Sequence, residues 1–315
     1  MVQSAGGVLM KHIKELVLHT DLKKDDTIFY FTTCGWMMWN WLTTSLATGA
    51  TLVLFDGNPF YPGPDALWQM AQDEKITIFG TSAGYIAALK AAGVRPRKEF
   101  DLSPLKALLS TGSPLSGEDF KFVYDEVKTD MRLASISGGS DLNGCFVQGN
   151  PMAPVYAGEI QCRALGMKVF AYDDDGRSVV GEQGELVCTA AFPSMPIYFW
   201  DDEDGSRYHS AYFDTFPGIW AHGDYIEVTE RGGVIIYGRS DATLNPGGVR
   251  IGTSEIYRRI EQMEEISDSV VVGQNWNNDT RVVLFITLAE GVQLTEELQV
   301  KIKSDIRMHA SPRHV

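Results

Sequence analysis

Residues 76–93, ITIFGTSAGYIAALKAAG, join a short apolar stretch to an alanine-rich stretch that ends in glycine. The β-branched and aromatic residues of ITIFG indicate a buried strand, and AGYIAALKAAG indicates a helix directly after it. The same order recurs in TIFYF (27–31) before WMMWNWLTTSLATG (36–49), TLVLF (51–55) before DALWQMAQDEK (65–75), and ALLSTG (107–112) before GEDFKFVYDEV (117–127), with RLASIS (132–137) as a further strand. Alternating strands and helices predict βαβ units, and therefore an α/β fold with a mostly parallel, helix-covered sheet.

The pattern changes from about Pro154, where turn residues instead of helices separate the strands. MKVFAYDDDGRSVVGEQGELVCTA (167–190) and WAHGDYIEVTERGGVIIYG (220–238) are interrupted by Asp-Gly and Gly-Gly pairs, which favour tight turns between antiparallel strands. We therefore expect a large domain over residues 1–240, divided into an α/β part over 1–153 and a β-rich part over 154–240.

After Asp241 the sequence mixes both kinds of pattern again. A helix is predicted over 253–264, strands over SVVVGQ (269–274) and RVVLFITL (281–288), and a second helix from Thr295. In that second helix, Leu298, Ile302 and Ile306 recur every four residues and are expected to face inward. Residues 241–315 are thus predicted to form a small α+β domain.

The composition excludes several classes of protein. Of 315 residues, 44% are hydrophobic and 22% are charged, which is typical of a globular chain. A net charge of −14 argues against a nucleic-acid partner or an anionic membrane. We find no apolar run of membrane-spanning length and no signal-peptide layout. The four cysteines show neither CxxC pairing nor histidines at zinc spacing, which indicates reduced thiols and a cytoplasmic location.

Two polar, glycine-containing turns follow predicted parallel strands. In SISGGSDLNGC (135–145), Gly138 and Gly139 allow close backbone approach to a ligand, Ser140 offers a hydroxyl, and Asp141 offers a carboxylate to a hard cation. LLSTGSPLSGE (108–118) is the second such turn. Ligands of open parallel sheets bind beyond the carboxyl ends of the strands, so both turns are expected at one crevice. The alternative is that both are plain connections.

Two further stretches could bind a nucleotide. In WAHGDYIEV (220–228), Asp224 follows a glycine at a strand edge and could accept both hydroxyls of a ribose, or could serve only as a turn residue. The connection IIYGRSDATLNPGGVRIGTSEIY (235–257) combines polar and glycine residues with little to bury; they are Arg239, Asp241, Gly247, Gly248 and Arg250. Arginines suit phosphates, and a glycine pair suits close backbone approach.

A rival hypothesis comes from FGTSAGYIAAL (79–89), which fits the G-x-S-x-G turn of α/β-hydrolases with Ser82 as nucleophile. Its partners would be an acid and a histidine later in the chain. His209, His222, His309 and His314 follow, and none has a suggestive sequence context. The stretch therefore favours a small-residue turn that begins a helix.

Taken in order, six stretches resemble the adenylate-forming acyl-CoA synthetases, and within that superfamily the members that activate acetoacetate. The stretches are FTTCGWMMW (31–39), STGSPLSGE (110–118), SGGSDLNG (137–144), AYFDTF (211–216), WAHGD (220–224) and YGRSDATLNPGGVRIGTSEI (237–256). The similarity extends over the whole chain.

The resemblance implies a set of nucleotide-binding residues. Gly112, Ser113 and Pro114 would line the adenine pocket. The turn of Gly139, Ser140 and Asp141 would hold the AMP phosphate, with Asp141 also binding Mg²⁺; the family usually has Thr-Glu where this chain has Ser140-Asp141. Further implied roles are ribose binding by Asp224, ribose or phosphate binding by Arg239, a domain hinge at Asp241, and contacts of Gly248 and Arg250 with nucleotide and coenzyme A. The residues expected to act on the reacting phosphate are Ser140, Asp141, Arg239 and Arg250.

The acyl pocket is implied to include Met37, Met38, Thr111 and Gly138. Acetate-activating members of the family have a tryptophan at the position of Gly138, which shortens their pocket. Glycine there is expected to leave room for acetoacetate, and Gly138→Trp is expected to shift preference toward acetate.

The activity implied is an ATP-dependent acid–CoA ligase that uses Mg²⁺ and coenzyme A. Acetoacetate, ATP and coenzyme A would give acetoacetyl-CoA, AMP and diphosphate through an acyl-adenylate. The similarity begins after the family's phosphate loop and stops before its adenylating lysine. We therefore expect partial domains, exposed apolar surface and weak or absent adenylation by this chain alone. A non-catalytic nucleotide-binding remnant is the alternative.

Overall fold

A five-stranded parallel sheet forms the first part of the structure, a computed structural model that describes residues 1–240, 244, 251–276 and 279–315. Its strands are β1 (Thr27–Tyr30), β2 (Thr51–Val53), β3 (Ile78–Ser82), β4 (Ala107–Thr111) and β5 (Arg132–Ser135), in the order β2-β1-β3-β4-β5. All neighbouring pairs are parallel. The predicted helix-covered parallel sheet is therefore confirmed.

The helices of this part are α1 (Ala5–Lys14), α2 (Met37–Thr44), α3 (Ala66–Asp73), α4 (Ala83–Ala91), α5 (Pro96–Glu99) and α6 (Gly117–Phe122). A π-helical turn continues α1 over Glu15–His19, and another continues α6 over Val123–Val127. Helices α1 and α5 were not anticipated from the sequence. The remaining four match the predicted βαβ pattern.

Each face of the parallel sheet carries its own apolar core, because side chains alternate along a strand. Phe29, Phe79 and Leu108 face the core formed with α3, α4 and α6, where Trp68 stacks on Phe79 at 4.6 Å between ring centroids. Ile28 and Leu109 face the opposite core, which includes residues of α2 and of the turn after α1. The sheet is thus buried on both sides, as parallel sheets require.

Antiparallel β-structure follows, as the Asp-Gly and Gly-Gly turns predict. A three-stranded sheet contains β6 (Ser137–Gly139), β7 (Gly144–Gln148) and β8 (Cys162–Arg163). A five-stranded sheet contains β9 (Val169–Tyr172), β10 (Ser178–Val179), β11 (Gln183–Cys188), β12 (Trp220–Val228) and β13 (Val234–Arg239), in the order β10-β9-β11-β12-β13. Helix α7 (Ser206–Tyr212) precedes β12. Leu142 and Phe146 pack into the core of the five-stranded antiparallel sheet.

The last part contains α8 (Thr253–Ile260), β14 (Ile266–Trp276), β15 (Asp279–Leu288) and α9 (Glu296–His309), then a 3₁₀ turn at Pro312–His314. Strands β14 and β15 pair antiparallel. Leu298, Ile302 and Ile306 are buried in a separate core, as their spacing predicts. Helix α8 ends at Ile260, four residues before the predicted end. The domain boundaries themselves stay predictions.

Among the described residues, no helix combines the length and the apolar character that crossing a membrane requires.

Candidate functional site

The two glycine-containing turns that follow β4 and β5 lie side by side. The Thr111 hydroxyl at the end of β4 donates to the carbonyl oxygen of Ile136 at 2.9 Å. Gly112 comes next, with a φ of +94°, a left-handed conformation that favours glycine. Gly112, Ser113 and Pro114 are all exposed, so they are accessible to a ligand. The crevice expected at the carboxyl ends of the strands thus has both predicted turns beside it.

Asp141 is held by a tyrosine that the sequence did not single out. The Tyr212 hydroxyl donates to Asp141 Oδ1 at 2.5 Å, and the Tyr212 ring stacks on Trp220 with centroids 3.6 Å apart. Burial, followed by the hydrogen bond to Asp141, raises the pKa of Tyr212, so this hydroxyl stays protonated and keeps donating. Tyr212 could have been noticed in the AYFDTF stretch.

Asp224 and Arg239 form an ion pair across β12 and β13, where the two residues are in register. Asp224 Oδ1 lies 3.1 Å from Arg239 Nη1, which also donates to the carbonyl oxygen of His222 at 3.0 Å. Burial raises the pKa of Asp224, while the neighbouring His222 and Arg239 act in the opposite direction. Gly223 has a φ of +80°, and a Cβ there would lie 2.5 Å from Arg239 Nη2. Glycine is therefore needed for the guanidinium to lie this close.

His222 joins these two groups of residues. A Cβ placed on Gly139 would lie 3.1 Å from Asp141 Oδ2 and 3.5 Å from His222 Nε2, which shows how closely the three residues approach. His222 Nε2 also lies 3.8 Å from Asp224 Oδ2. Burial lowers the pKa of His222, although Asp224 and Asp141 both raise it. In the sequence analysis, His222 stands only in WAHGD and among the histidines that follow Ser82.

The side chains described above surround one cavity of about 510 Å³. Asp141, Tyr212, His222 and Arg239 line it, together with Trp200. Asp224 lies behind Arg239, buried and bonded to it. Asp141 therefore shares this cavity with polar side chains that lie 71 or more positions further along the chain.

Glu185 on β11 supports this cavity from behind. Its Oε1 accepts from the Gly223 amide at 2.7 Å, and its Oε2 accepts from the Ser240 hydroxyl. Burial raises the pKa of Glu185. This carboxylate therefore ties β11 to the glycine before Asp224 and to the residue after Arg239.

The expected acyl-pocket residues are only partly brought together. Met38 is buried in the same core as Leu109 and Ile136, and Met37 packs against that core. Thr111 is the last residue of β4, and its hydroxyl donates to the Ile136 carbonyl oxygen. Whether these residues bind an acyl group stays a prediction.

The acyl-pocket role of Gly138 stays a prediction, and strand pairing gives a separate reason for glycine at this position. Gly138 pairs with β7, and a Cβ built on it would lie 1.9 Å from the Gly144 carbonyl oxygen and 2.6 Å from Cys145 Cα. A tryptophan there would run into the neighbouring strand instead of simply shortening a pocket. Glycine at this position is explained by strand pairing.

Ser82 caps a helix. Its side chain accepts from the Tyr85 amide at 3.1 Å, at the N-terminus of α4. Across the ranges that the structure describes, no histidine forms a hydrogen bond with Ser82. The arrangement lacks the base that a nucleophilic serine requires.

The donor set near Asp141 fits a cation bound together with a ligand. In the described part of the chain, no group of three or more histidine, cysteine, aspartate or glutamate side chains could hold a metal. Mg²⁺ is commonly bound through one or two carboxylates plus substrate phosphates and water. Asp141 would offer Oδ2, since Oδ1 already accepts from Tyr212.

Four residues that the resemblance or the sequence pattern selects lie outside the described residues: Asp241, Gly247, Gly248 and Arg250.

Comparison with known proteins identifies the family of this chain. The model of the family described as AMP-binding enzyme matches residues 2–198. The acetoacetyl-coenzyme A synthetase of Rhizobium meliloti (strain 1021) is 56% identical over 315 residues, which are 100% of this chain and 48% of that protein. The acetoacetyl-CoA synthetase of Gallus gallus is 50% identical over 317 residues, again 100% of this chain and 48% of the relative.

A solved structure shows the same fold. The acetoacetyl-CoA synthetase from Streptomyces lividans superposes with a TM-score of 0.93 at 46% identity, and the match covers 99% of this chain and 48% of that one. This chain spans about half the length of the relatives that it matches. The resemblance inferred from the six sequence stretches is confirmed. The chain belongs to the AMP-binding enzyme family.

Proposed function

We propose that this chain provides the nucleotide-binding part of an ATP-dependent acid–CoA ligase that acts on acetoacetate. The observation that carries the proposal is the convergence of Asp141, His222 and Arg239 on one cavity, with Asp224 bonded to Arg239 directly behind it. Such a cavity offers groups for a ribose, a phosphate and a cation within one small space. The three relatives named above are acetoacetyl-CoA synthetases, and their names support the choice of acid.

In this proposal each polar group has one task. Asp224 accepts the ribose hydroxyls, and Arg239 contacts ribose or phosphate. Ser140 and Asp141 bind the α-phosphate, and Asp141 Oδ2 binds the Mg²⁺ that offsets the phosphate charge. Gly112, Ser113 and Pro114 lie against the adenine, which their exposure permits.

The reaction would proceed in two steps. A carboxylate oxygen of acetoacetate attacks the α-phosphorus of ATP, and diphosphate leaves. The thiol of coenzyme A then attacks the acyl carbonyl carbon, and AMP leaves as the carbon–sulfur bond forms. Both steps depend on placing the reactants and stabilising charge, so the site needs no protein nucleophile. Met37, Met38 and Thr111 are proposed beside the acyl group, and Gly248 and Arg250 beside the nucleotide and coenzyme A, with Asp241 as the hinge.

We assign the protein to a reducing compartment, the cytoplasm. Cys34, Cys145, Cys162 and Cys188 all carry free thiols, which is usual for proteins kept in reducing surroundings.

Calorimetric titration of the chain with AMP tests the nucleotide site. We expect saturable binding that weakens in an Asp224→Asn variant, and absence of binding by the parent chain would overturn the proposal. Acetoacetate-dependent exchange of radiolabelled diphosphate into ATP tests the chemistry. Binding without any exchange, by this chain or by a longer polypeptide containing it, would favour a non-catalytic nucleotide-binding protein instead.

A further inference from the structure

Helix α1 and the turn after it bury polar side chains that the proposed chemistry does not use. Lys11 is 2% exposed, and His12 and Glu15 are fully buried. Burying such groups costs free energy unless their hydrogen-bonding capacity is met inside the protein. Their partners therefore identify what the helix is built to hold.

All three side chains bind the backbone at residues 143 and 145, where the turn that follows β6 meets β7. Lys11 Nζ donates to the Cys145 carbonyl oxygen at 2.7 Å, and Glu15 Oε1 accepts from the Cys145 amide at 3.0 Å. His12 Nε2 lies 2.7 Å from the carbonyl oxygen of Asn143, which can only accept, so Nε2 carries the proton. Helix α1 thus fixes the C-terminal end of the turn.

Gln3 fixes the other end of the turn. Its Nε2 donates to the carbonyl oxygens of Ser140 at 3.1 Å and Asp141 at 3.0 Å, while its Oε1 accepts from Asn143 Nδ2 at 3.1 Å. We call Gln3, Lys11, His12 and Glu15 the turn clamp. Every hydrogen bond between the clamp and residues 140–145 joins residues at least 130 positions apart in the sequence.

The clamp is closely fitted to the turn. A Cβ on Gly144 would lie 2.8 Å from Lys11 Cε and 3.1 Å from Glu15 Oε1, so the lysine and the glutamate lie directly against the glycine. Glu15 also receives a hydrogen bond from Trp41 Nε1 at 3.0 Å and lies 3.2 Å from Lys11 Nζ. The charges inside the clamp therefore offset one another, and its geometry is fixed from several sides.

We propose that the turn clamp positions Ser140 and Asp141 for the phosphate of the bound nucleotide. The inference rests on the proposed function, because it takes residues 140 and 141 as the phosphate-binding residues. The clamp residues reach the backbone of the turn from behind, so they are positioning residues. Their loss lets residues 140–145 relax and lowers phosphate affinity, while contacts with the nucleoside remain.

Paired titrations with AMP and adenosine separate these effects, because the two ligands differ only in the phosphate. For His12→Leu and Gln3→Leu we expect AMP affinity to fall about tenfold and adenosine affinity to stay within about twofold. His12→Gln, which keeps a donor toward Asn143, should recover part of the loss. Gln3→Leu removes the clamp at the half-buried end and keeps the test available if His12→Leu does not fold.

His19→Leu is the matched control. His19 is a buried histidine of the same helical run, and it bonds the Gly149 carbonyl oxygen and the Leu165 amide, away from the turn. The His19→Leu variant should have a lower melting temperature, with an unchanged ratio of AMP affinity to adenosine affinity. An unchanged ratio in both clamp variants would overturn the inference while leaving the proposed function intact. Failure of the parent chain to bind AMP would remove the proposed function and this inference with it.

Discussion

Asp224 and Arg239 face each other across β12 and β13, with Oδ1 and Nη1 3.1 Å apart, beside a glycine that leaves room for the guanidinium. The aspartate is buried and the arginine side chain is half exposed, so the pair has one end in the protein and one end in the cavity. This geometry allows the arginine to reach a ligand while the carboxylate keeps it in place.

Asp224→Asn should weaken AMP binding by about ten- to a hundredfold, because an amide accepts hydrogen bonds from the ribose hydroxyls less well than a carboxylate does. The test ligand is 2′,3′-dideoxy-AMP, whose affinity should change little in the same variant. Glu230→Gln, at an exposed turn beyond β12, is the control and should match the parent. Equal losses for both nucleotides would show that Asp224 does not bind the ribose.

Tyr212→Phe should weaken binding of Mg²⁺-ATP by about ten- to a hundredfold, the size expected for losing one hydrogen bond to a charged group. The ring keeps its stacking on Trp220, so only the 2.5 Å contact with Asp141 is removed. Tyr208→Phe makes the same chemical change one helical turn away and should leave the affinity unaltered. Titration calorimetry with and without Mg²⁺ measures both, and identical behaviour of the two variants would count against a role for Tyr212.

Gly138→Ala should lower the free energy of unfolding by about 3 kcal/mol, because the added methyl group meets the backbone of β7. Gly6→Ala is the control: a Cβ there meets nothing within 4 Å, and alanine favours helix α1. Chemical denaturation measures both variants. If Gly138→Ala were as stable as Gly6→Ala, strand pairing would not explain the glycine at position 138.

Lys14 gives the protein a pH dependence of known sign. Burial lowers its pKa from 10.5 to about 8, with Glu15, Lys11 and Cys145 as its charged or titratable neighbours and His19 one turn further on. Between these two values the unfolded chain holds a proton that the folded chain has released. Unfolding therefore takes up a proton, and the free energy of unfolding rises with pH across this window.

Lys14→Met should therefore stabilise the fold at pH 7, by about 2 kcal/mol, and the advantage should shrink as the pH approaches 10. Lys121→Met, at an exposed position of α6, should show no such trend. Urea denaturation at intervals from pH 7 to 10 provides the comparison. A constant difference between Lys14→Met and the parent would contradict the assigned pKa.

Ser82→Ala should cost about 1 kcal/mol of stability, because α4 loses its N-terminal cap. Ser82→Asp keeps a capping side chain and should remain close to the parent. A fluorophosphonate probe should leave Ser82 unlabelled, as judged by peptide mass spectrometry. Specific labelling of Ser82 in the folded protein would revive the hydrolase hypothesis.

The main sheet and the last helix were predictable because their signals are local. Strands of the parallel sheet are short apolar runs next to helical patterns, and Leu298, Ile302 and Ile306 mark a helix face by their spacing. The two glycine-containing turns were recognisable because polar residues follow buried strands. Each of these inferences needs only neighbours in the sequence.

The parts that were missed depend on partners far away in the chain. Helix α1 and the π-helical turn after it bury Lys11, His12 and Glu15, so apolar periodicity gives little sign of which face is inside. His222 becomes part of the site only because Gly139 lies against its ring. The obstruction at Gly138 follows from the pairing of β6 with β7, which no single strand reveals.

The segment between β5 and β8 belongs to two hydrophobic interiors at once. Cys145 packs on one face of the parallel sheet, while Leu142 and Phe146 pack into the antiparallel sheet. The position of residues 140 and 141 therefore depends on packing against both the parallel and the antiparallel sheet. Substitutions that loosen either core, such as those in contact with Trp41 or Trp220, should therefore shift residues 140 and 141. A screen for nucleotide binding should then recover some substitutions that lie far from the proposed site.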